Sequence, residues 1–331
     1  MKKITAIFAS VAAAIVFNSC ADSYGYVQIT GFAQGGTYTV KADLGGTSLK
    51  PEKLKESIDS ILTAVDNSVS GYNKSSVLSR FNEGEAVEDN PIFRELCLLG
   101  DHYAFLTEGV VDVWAAPLFD IWGFGFTHDS LPSRSLIDSA KVMCSQHKKV
   151  NFNAIAQGYS SDIVSEYLIR HGIRNMLVDV GGEMYAQGLN PEGKNWKIGI
   201  DSPVDGNFSP GESIQCVYTL PEGPCGIVTS GNYRKFYVKD GRKYAHTIDP
   251  RTGLPVTHNL LSATVISANP DSNRNSTDAD AFATYCMVVG LDAAKEFILS
   301  SPYLEAVLIY DDNGMFKTWN SRECDETTYL Q

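Results

Sequence analysis

A chain of 331 residues, 44% hydrophobic and 20% charged, is long enough to bury a substantial core. It has no internal repeat and no low-complexity tract, which excludes solenoids, arrays and long disordered tails. With 39 acidic against 27 basic side chains, its formal net charge of −12 argues against nucleic acid as a partner and ordinarily serves solubility.

The first twenty residues, MKKITAIFASVAAAIVFNSC, set Lys2 and Lys3 ahead of an uncharged, mostly apolar run that is short for a membrane span. This predicts an export signal over 1–20 ahead of one domain over 21–331. Its end, Asn18-Ser19-Cys20, resembles a bacterial lipobox in which the cysteine is diacylated; ordinary cleavage near the same point is the alternative. Either route places the mature chain outside the cytoplasm. Losing Lys2 and Lys3 takes the charge from −12 to −14. The other cysteines, Cys97, Cys144, Cys216, Cys225, Cys286 and Cys324, show no CxxC and no zinc-site spacing. Cys216 and Cys225 are near enough in sequence to form a disulfide in an oxidising compartment.

Strands are predicted over 27–30 and 37–42, broken at Gly35-Gly36. Pro51 then opens a helix with Leu54, Ile58, Ile61, Leu62 and Val65 on one face. A second helix runs over 91–107, closed by Gly109. A third covers 158–171, with Ile163, Tyr167 and Leu168 inward and Gly172 as its cap. Strands follow over 175–180, 196–200 and 214–220. The run FYVKDGRKYAH over 236–246 is a hairpin: Asp240-Gly241 fits a two-residue type I′ turn, which sets Lys239 against Arg242 and His246 against Lys235. Further strands are predicted over 262–267, 306–310 and 315–319. Helices and hairpins alternate without a regular βαβ pattern. The predicted fold is therefore α+β, with largely antiparallel sheets, packed helices and two intimate halves in one domain.

Three stretches carry groups suited to chemistry. In STDADAFATYCMVVG, over 276–290, a helix starting at Thr277 or Asp278 puts Asp280 and Thr284 at i and i+4, on one face. A carboxylate and a hydroxyl so placed offer two hard oxygens to Mg²⁺. Alternatively Thr277 or Asp278 caps the helix, Asp280 favours its dipole and Thr284 bonds a backbone carbonyl. Next, VNFNAIAQGY over 150–159 leads from a strand into the third helix, whose N-terminal amides suit a phosphate, although most such junctions bind nothing. The neighbouring VDVGGE over 178–183 marks either a close backbone approach or a plain hairpin turn. Finally, VTSGNYRK over 228–235 and HTIDPRTG over 246–253 gather hydroxyls, cations, one histidine and one aspartate. His246 there is either a proton carrier or an ordinary strand-end residue.

Taken in order, eight blocks resemble the FAD:protein FMN transferase family, the ApbE-type flavin transferases once described as thiamine-biosynthesis lipoproteins. They are TGFAQGGTY (30–38), SGYNKSSVLSRFN (70–82), VDVWAAPLFDIWGFG (111–125), NAIAQGY (153–159), LVDVGGE (177–183), TSGNYR (229–234), HTIDPRTGLP (246–255) and DAFAT (280–284). The resemblance implies that FAD is split at its pyrophosphate with Mg²⁺, that FMN is esterified to a threonine of an acceptor protein, and that AMP leaves. The implied acceptors are membrane redox subunits of the Na⁺-translocating NADH:quinone oxidoreductase (Nqr) and Rnf type. It further implies Asp280, Thr284 and the backbone carbonyl of Ala154 as metal ligands. Flavin contacts would come from Gly35, Tyr72, Val110, Val111, Asp112, Asn151, Gln157 and Leu254. His246 would position or deprotonate the acceptor threonine. Gly35, Asn151, Asn153 and Gln157 stand where the family more often has methionine, aspartate, glycine and a charged residue. Two other readings are an FAD pyrophosphatase releasing FMN and AMP, and a non-enzymatic extracytoplasmic flavin carrier.

Overall fold

The computed structural model describes residues 25–123, 131–203, 213–231, 236–239, 242–245 and 247–322. The leader, Cys20, His246, Lys235 and Cys324 lie outside the described residues.

The described chain opens on a hairpin of β1 (Tyr26–Ala33) and β2 (Gly36–Asp43), in register from Tyr26 against Asp43 to Ala33 against Gly36. Gln34 and Gly35 form its two-residue loop with φ of 53° and 77°, the mirror-image turn that matches the right-handed twist of paired strands. Helix α1 (Pro51–Val69) starts on a proline, whose missing N–H costs nothing at that position, and buries Leu54, Ile58, Leu62 and Val65. The predicted inward Ile61 is only half-buried, on the edge of that stripe.

Short helix α2 (Val77–Asn82) is capped by Ser76 Oγ, which accepts from Ser79 N at 3.0 Å. In α3 (Pro91–Leu106) Asn90 Oδ1 accepts from Phe93 N in the same way, at 2.9 Å. A 3₁₀ turn (Val113–Ala115) leads into α4 (Ala116–Trp122), and α5 (Arg134–Cys144) follows. Helix α6 (Ala156–Arg170) ends before Gly172, whose φ is +83°. The predicted inward face of α6 needs correction. Leu168 is buried, but Ile163 and Tyr167 are half-buried, and Ser160, Ser161, Asp162 and Ser165 take the interior instead.

Strands β3 (Met176–Val180), β4 (Glu183–Gln187), β5 (Lys197–Asp201), β6 (Ile214–Thr219) and β7 (Cys225–Gly231) come next. In the ribbon of β8 (Phe236–Lys239) and β9 (Arg242–Ala245), Lys239 pairs with Arg242, the register expected from the turn. A smaller ribbon joins β10 (Ile248–Asp249) to β11 (Leu254–Pro255). The chain finishes through β12 (Leu260–Ser267), α7 (Asn275–Val289), α8 (Leu291–Ser300), β13 (Leu304–Asp312) and β14 (Met315–Asn320).

Eight strands form one sheet in the order β1-β2-β3-β4-β7-β12-β13-β14, and every neighbouring pair is antiparallel. Alternation along the central strands divides their side chains between two cores. Val228, Ala263, Val265, Ala306 and Leu308 pack with residues of α3, α6, α7 and α8. Ile227, Ile266, Val307 and Ile309 pack on the opposite face, with Ile198 and Ile200 of β5 and Tyr218 of β6. A third core joins α1 and α6 to β2 and β3 through Leu54, Ile58, Val164, Leu168, Val40 and Val178. The α+β class with largely antiparallel sheets is as predicted. Cys216 and Cys225 belong to the same core but are not joined in the disulfide that their spacing would have allowed. Among the described residues, no helix is long and apolar enough to cross a membrane.

Candidate active site

Helices α6 and α7 meet through their first turns, and neither carries a side-chain cap of its own: Ile155 precedes one and Arg274 the other. Each is capped by a carboxylate from the second turn of its neighbour. Asp162 of α6 accepts from Ser276 N at 3.0 Å, from Thr277 N at 2.8 Å and from Thr277 Oγ1 at 2.6 Å. In return, Asp280 of α7 accepts from Gly158 N at 3.1 Å. The helices therefore overlap antiparallel, with both positive dipole ends and both carboxylates in one place.

This overlap requires glycine. A β-carbon on Gly158 would stand 2.4 Å from the Ser276 carbonyl oxygen, and one on Gly226 of β7 would stand 2.2 Å from that of Asn275. The first turn of α7 is thus held between two backbones without side chains.

Three expectations change at this junction. First, α7 starts at Asn275 rather than at Thr277 or Asp278, because the cap comes from another helix. Thr277 is bound to Asp162, and Asp278 accepts from Tyr103 Oη at 2.7 Å and Ser272 Oγ at 2.9 Å, so neither caps the helix. Second, the Gly158 amide at the start of α6 faces Asp280 instead of an open anion site. Third, the Thr284 hydroxyl makes no hydrogen bond to a backbone carbonyl among the described residues. One turn beyond Asp280, its side chain is half-buried.

The junction also changes the acid–base character of its carboxylates. Asp162 is 1% exposed and Asp280 4%. Burial pushes both carboxyls up to about 7, against the hydrogen bonds each accepts, and Asp162 adds to the rise at Asp280 by charge repulsion. Arg274, just before α7, bonds Glu95 and Glu166 and lies 5.2 Å over the Tyr159 ring, while Tyr159 Oη donates to Glu95 at 2.8 Å.

The remaining expected contacts fall into smaller groups. Gln157, second residue of α6, fills the space that Gly181 leaves: a β-carbon there would be 2.2 Å from Gln157 Nε2. Gly181 and Gly182, at φ of 72° and 110°, form the β3–β4 hairpin turn, so the close approach and the plain turn are one structure. Gly181 N also donates to Thr37 O, tying this turn to the exposed Gly35 loop. Gln34 Nε2 donates to Ser160 Oγ at 2.5 Å and ties the loop to α6. Val110 and Val111 are buried, and Asp112 Oδ1 accepts from Trp114 N at 2.8 Å. Asn151 N donates to Val113 O at 2.8 Å, and Asn151 Oδ1 accepts from Asn153 N, which shapes the approach to Ala154. Tyr72 is 71% exposed in the loop after α1. Leu254 lies on the β10–β11 ribbon, next to Gly253, whose carbonyl accepts from Trp122 Nε1. Asp162, Gly158 and Gly226 were not singled out as site residues from the sequence. The available signal was Asp162 four residues after Gly158, a carboxylate on the inward face of a helix.

The donors expected for Mg²⁺ fit a hard cation. Ala154 precedes Ile155, the residue before the first turn of α6, so its carbonyl lies outside the helix ladder and accepts no hydrogen bond among the described residues. Asp280 is a nearly enclosed carboxylate with one hydrogen bond and no cation against it among the described residues, a charge that a divalent ion would balance. Among those residues no cluster of three His, Cys, Asp or Glu side chains is poised for a metal, so the set would be oxygen donors of mixed kind.

A family model described as "ApbE family" matches residues 34–308. The chain is 32% identical over 342 residues to the FAD:protein FMN transferase of Haemophilus influenzae, with 95% of each chain covered. Against that of Escherichia coli K12 it is 31% identical over 310 residues, covering 86% of this chain and 85% of the relative. Its fold is similar to the crystal structure of the Pseudomonas stutzeri flavinyl transferase ApbE in its apo form, with a TM-score of 0.76 at 29% identity, covering 89% of this chain and 94% of that one. With a family match of this extent, relatives covered nearly end to end and the same α+β fold, the chain belongs to the ApbE family.

Proposed function

We propose that this chain is an FAD:protein FMN transferase, an enzyme that moves the FMN half of FAD onto a threonine of an acceptor protein and releases AMP. The observation that carries this reading is the α6–α7 junction in a chain of this family. There the buried carboxylate of Asp280, with its one hydrogen bond from Gly158 N, meets the first turn of α6, just after Ala154, whose carbonyl lies outside the helix ladder.

In the reaction the acceptor hydroxyl oxygen attacks the FMN-side phosphorus, the bond from that phosphorus to the bridging oxygen breaks, and AMP carries that oxygen away. Asp280, Thr284 and the Ala154 carbonyl hold Mg²⁺. When bound, the ion offsets charge on the pyrophosphate oxygens and on the departing AMP. Gly35, Tyr72, Asn151, Gln157, Leu254 and the turn over Val110, Val111 and Asp112 would bind and orient FAD. His246 takes the proton of the attacking hydroxyl. The acceptor is a membrane redox subunit of the Nqr or Rnf type. The enzyme works outside the cytoplasm, held to the membrane by lipid on Cys20.

Incubating the protein with FAD, Mg²⁺ and a candidate acceptor domain tests this. Flavinylated acceptor and AMP in equal amounts are expected; FMN and AMP without labelled acceptor would mean hydrolysis, and intact bound FAD would mean a carrier. Asp280→Asn keeps an acceptor for Gly158 N but loses the charge. It should lower turnover by about 10³-fold, roughly 4 kcal/mol, while the protein stays folded. Retained turnover would remove Asp280 from the site.

A further inference from the structure

We infer that Asp162 is a positioning residue for this reaction: by capping α7 from a neighbouring helix it fixes where Asp280 stands. The inference rests on Asp280 being a metal ligand.

The two carboxylates differ in what surrounds them. Asp162 engages three donors, two backbone amides and the Thr277 hydroxyl, and is sealed from solvent. Asp280 has a single donor among the described residues, Gly158 N, on its Oδ2 atom. A carboxylate with three donors at a helix start is a fixed anchor, whereas one with a single donor keeps capacity for a further ligand. The anchor acts at the right place. Thr277 lies one turn before Asp280, so any change in the pitch or start of the first turn of α7 moves the Asp280 side chain. Without Asp162, Arg274 supplies no side-chain cap, and the amides of Ser276 and Thr277 would be buried without an acceptor.

The same anchor sets how the two helices lie against each other. Gly158 and Asp162 are separated by one turn of α6, and their partners Asp280 and Ser276-Thr277 by one turn of α7, so the helices are locked at two points. A single contact would let the helices pivot; two contacts fix their separation and rotation. The packing leaves no alternative arrangement: Ser276 is pressed between Gly158 and Gly226.

Four proteins test the assignment: wild type, Asp162→Asn, Thr277→Val and Thr277→Ser. Two quantities are read: the Mg²⁺ concentration for half-maximal AMP release, and the rise in melting temperature that Mg²⁺ produces without FAD. Asp162→Asn, with one oxygen for three donors, should raise the Mg²⁺ requirement about tenfold and shrink the metal-induced rise in melting temperature. Thr277→Val, which removes one donor and little else, should do the same to a smaller extent, and Thr277→Ser should restore the wild-type response. If Asp162→Asn does not fold, the Thr277 pair decides alone. A purely structural Asp162 would lower the melting temperature and leave the Mg²⁺ requirement unchanged in Asp162→Asn and Thr277→Val, and that result overturns the inference. If Mg²⁺ moves neither quantity in the wild type, the metal site itself is wrong.

Discussion

Helix α1 and the α6–α7 junction are both buried interiors, built on opposite principles. Against β2 and β3, α1 presents Leu54, Ile58 and Leu62 to Val40 and Val178, all essentially inaccessible and all aliphatic. At the junction the buried polar side chains are Ser160, Ser161, Asp162, Ser165, Asn275, Ser276, Thr277 and Asp280. Apolar packing is non-directional, so it supplies stability and tolerates small displacements. Hydrogen-bonded burial is directional, and each group is costly unless its one partner is in place, so it supplies position. The contrast suggests that this protein separates the two tasks, with stability drawn from the aliphatic interior and geometry from the polar one.

The sharpest attack on that division is Leu54→Ala. Truncating a fully buried leucine should cost about 2–5 kcal/mol of stability, read from urea unfolding. The Mg²⁺ requirement of the folded molecules should not change; if it does, the two regions are not separable. Gly158→Ala addresses the other side. Its β-carbon meets the Ser276 carbonyl and Asp280 Cβ, so the helices must part, at a cost of roughly 1–3 kcal/mol, with a raised Mg²⁺ requirement. Stability lost with an unchanged Mg²⁺ response would show that the junction only packs.

The smallest effect sharpens the comparison at the far end of α7. Leu260 N donates to His258 Nδ1 at 3.3 Å, so Nε2 carries the proton and donates to Met287 O at 2.9 Å. Burial holds this imidazole below its ordinary 6.5, which keeps it neutral. A histidine with a depressed folded pKa gives stability that is complete above about 6.5 and is lost as pH falls through the folded value, because the unfolded chain takes up the proton first. Between pH 7.5 and 5, wild type should therefore lose more stability than His258→Gln in thermal unfolding. Parallel pH curves for the two proteins would show that His258 is protonated without penalty.

Legibility from the sequence follows the same line. The hydrophobic period of α1 and the Asp240-Gly241 turn encode their own outcomes, since neighbours in sequence decide them: α1 forms over the expected face, and Lys239 pairs with Arg242. Asp280 and Thr284 were legible as one helical face because spacing alone sets it. The start of α7 was not, because its cap lies at Asp162, more than a hundred residues upstream. The inward face of α6 was misjudged for a related reason: a serine-rich face is polar by composition, and only partners such as Glu183 O and the first turn of α7 make it an interior.

By itself the sequence determined the α+β class, the order of most strands, the family motifs and the residue types able to ligate a hard cation, all of which depend on local period, turn chemistry and ordered identity. Only the tertiary structure decided that Asp162 and Asp280 exchange caps and that two glycines admit Ser276 between them. These are contacts between segments far apart in the chain. Their strength depends on exclusion of water and on donor geometry within a few tenths of an ångström, and neither is written in any short run of residues.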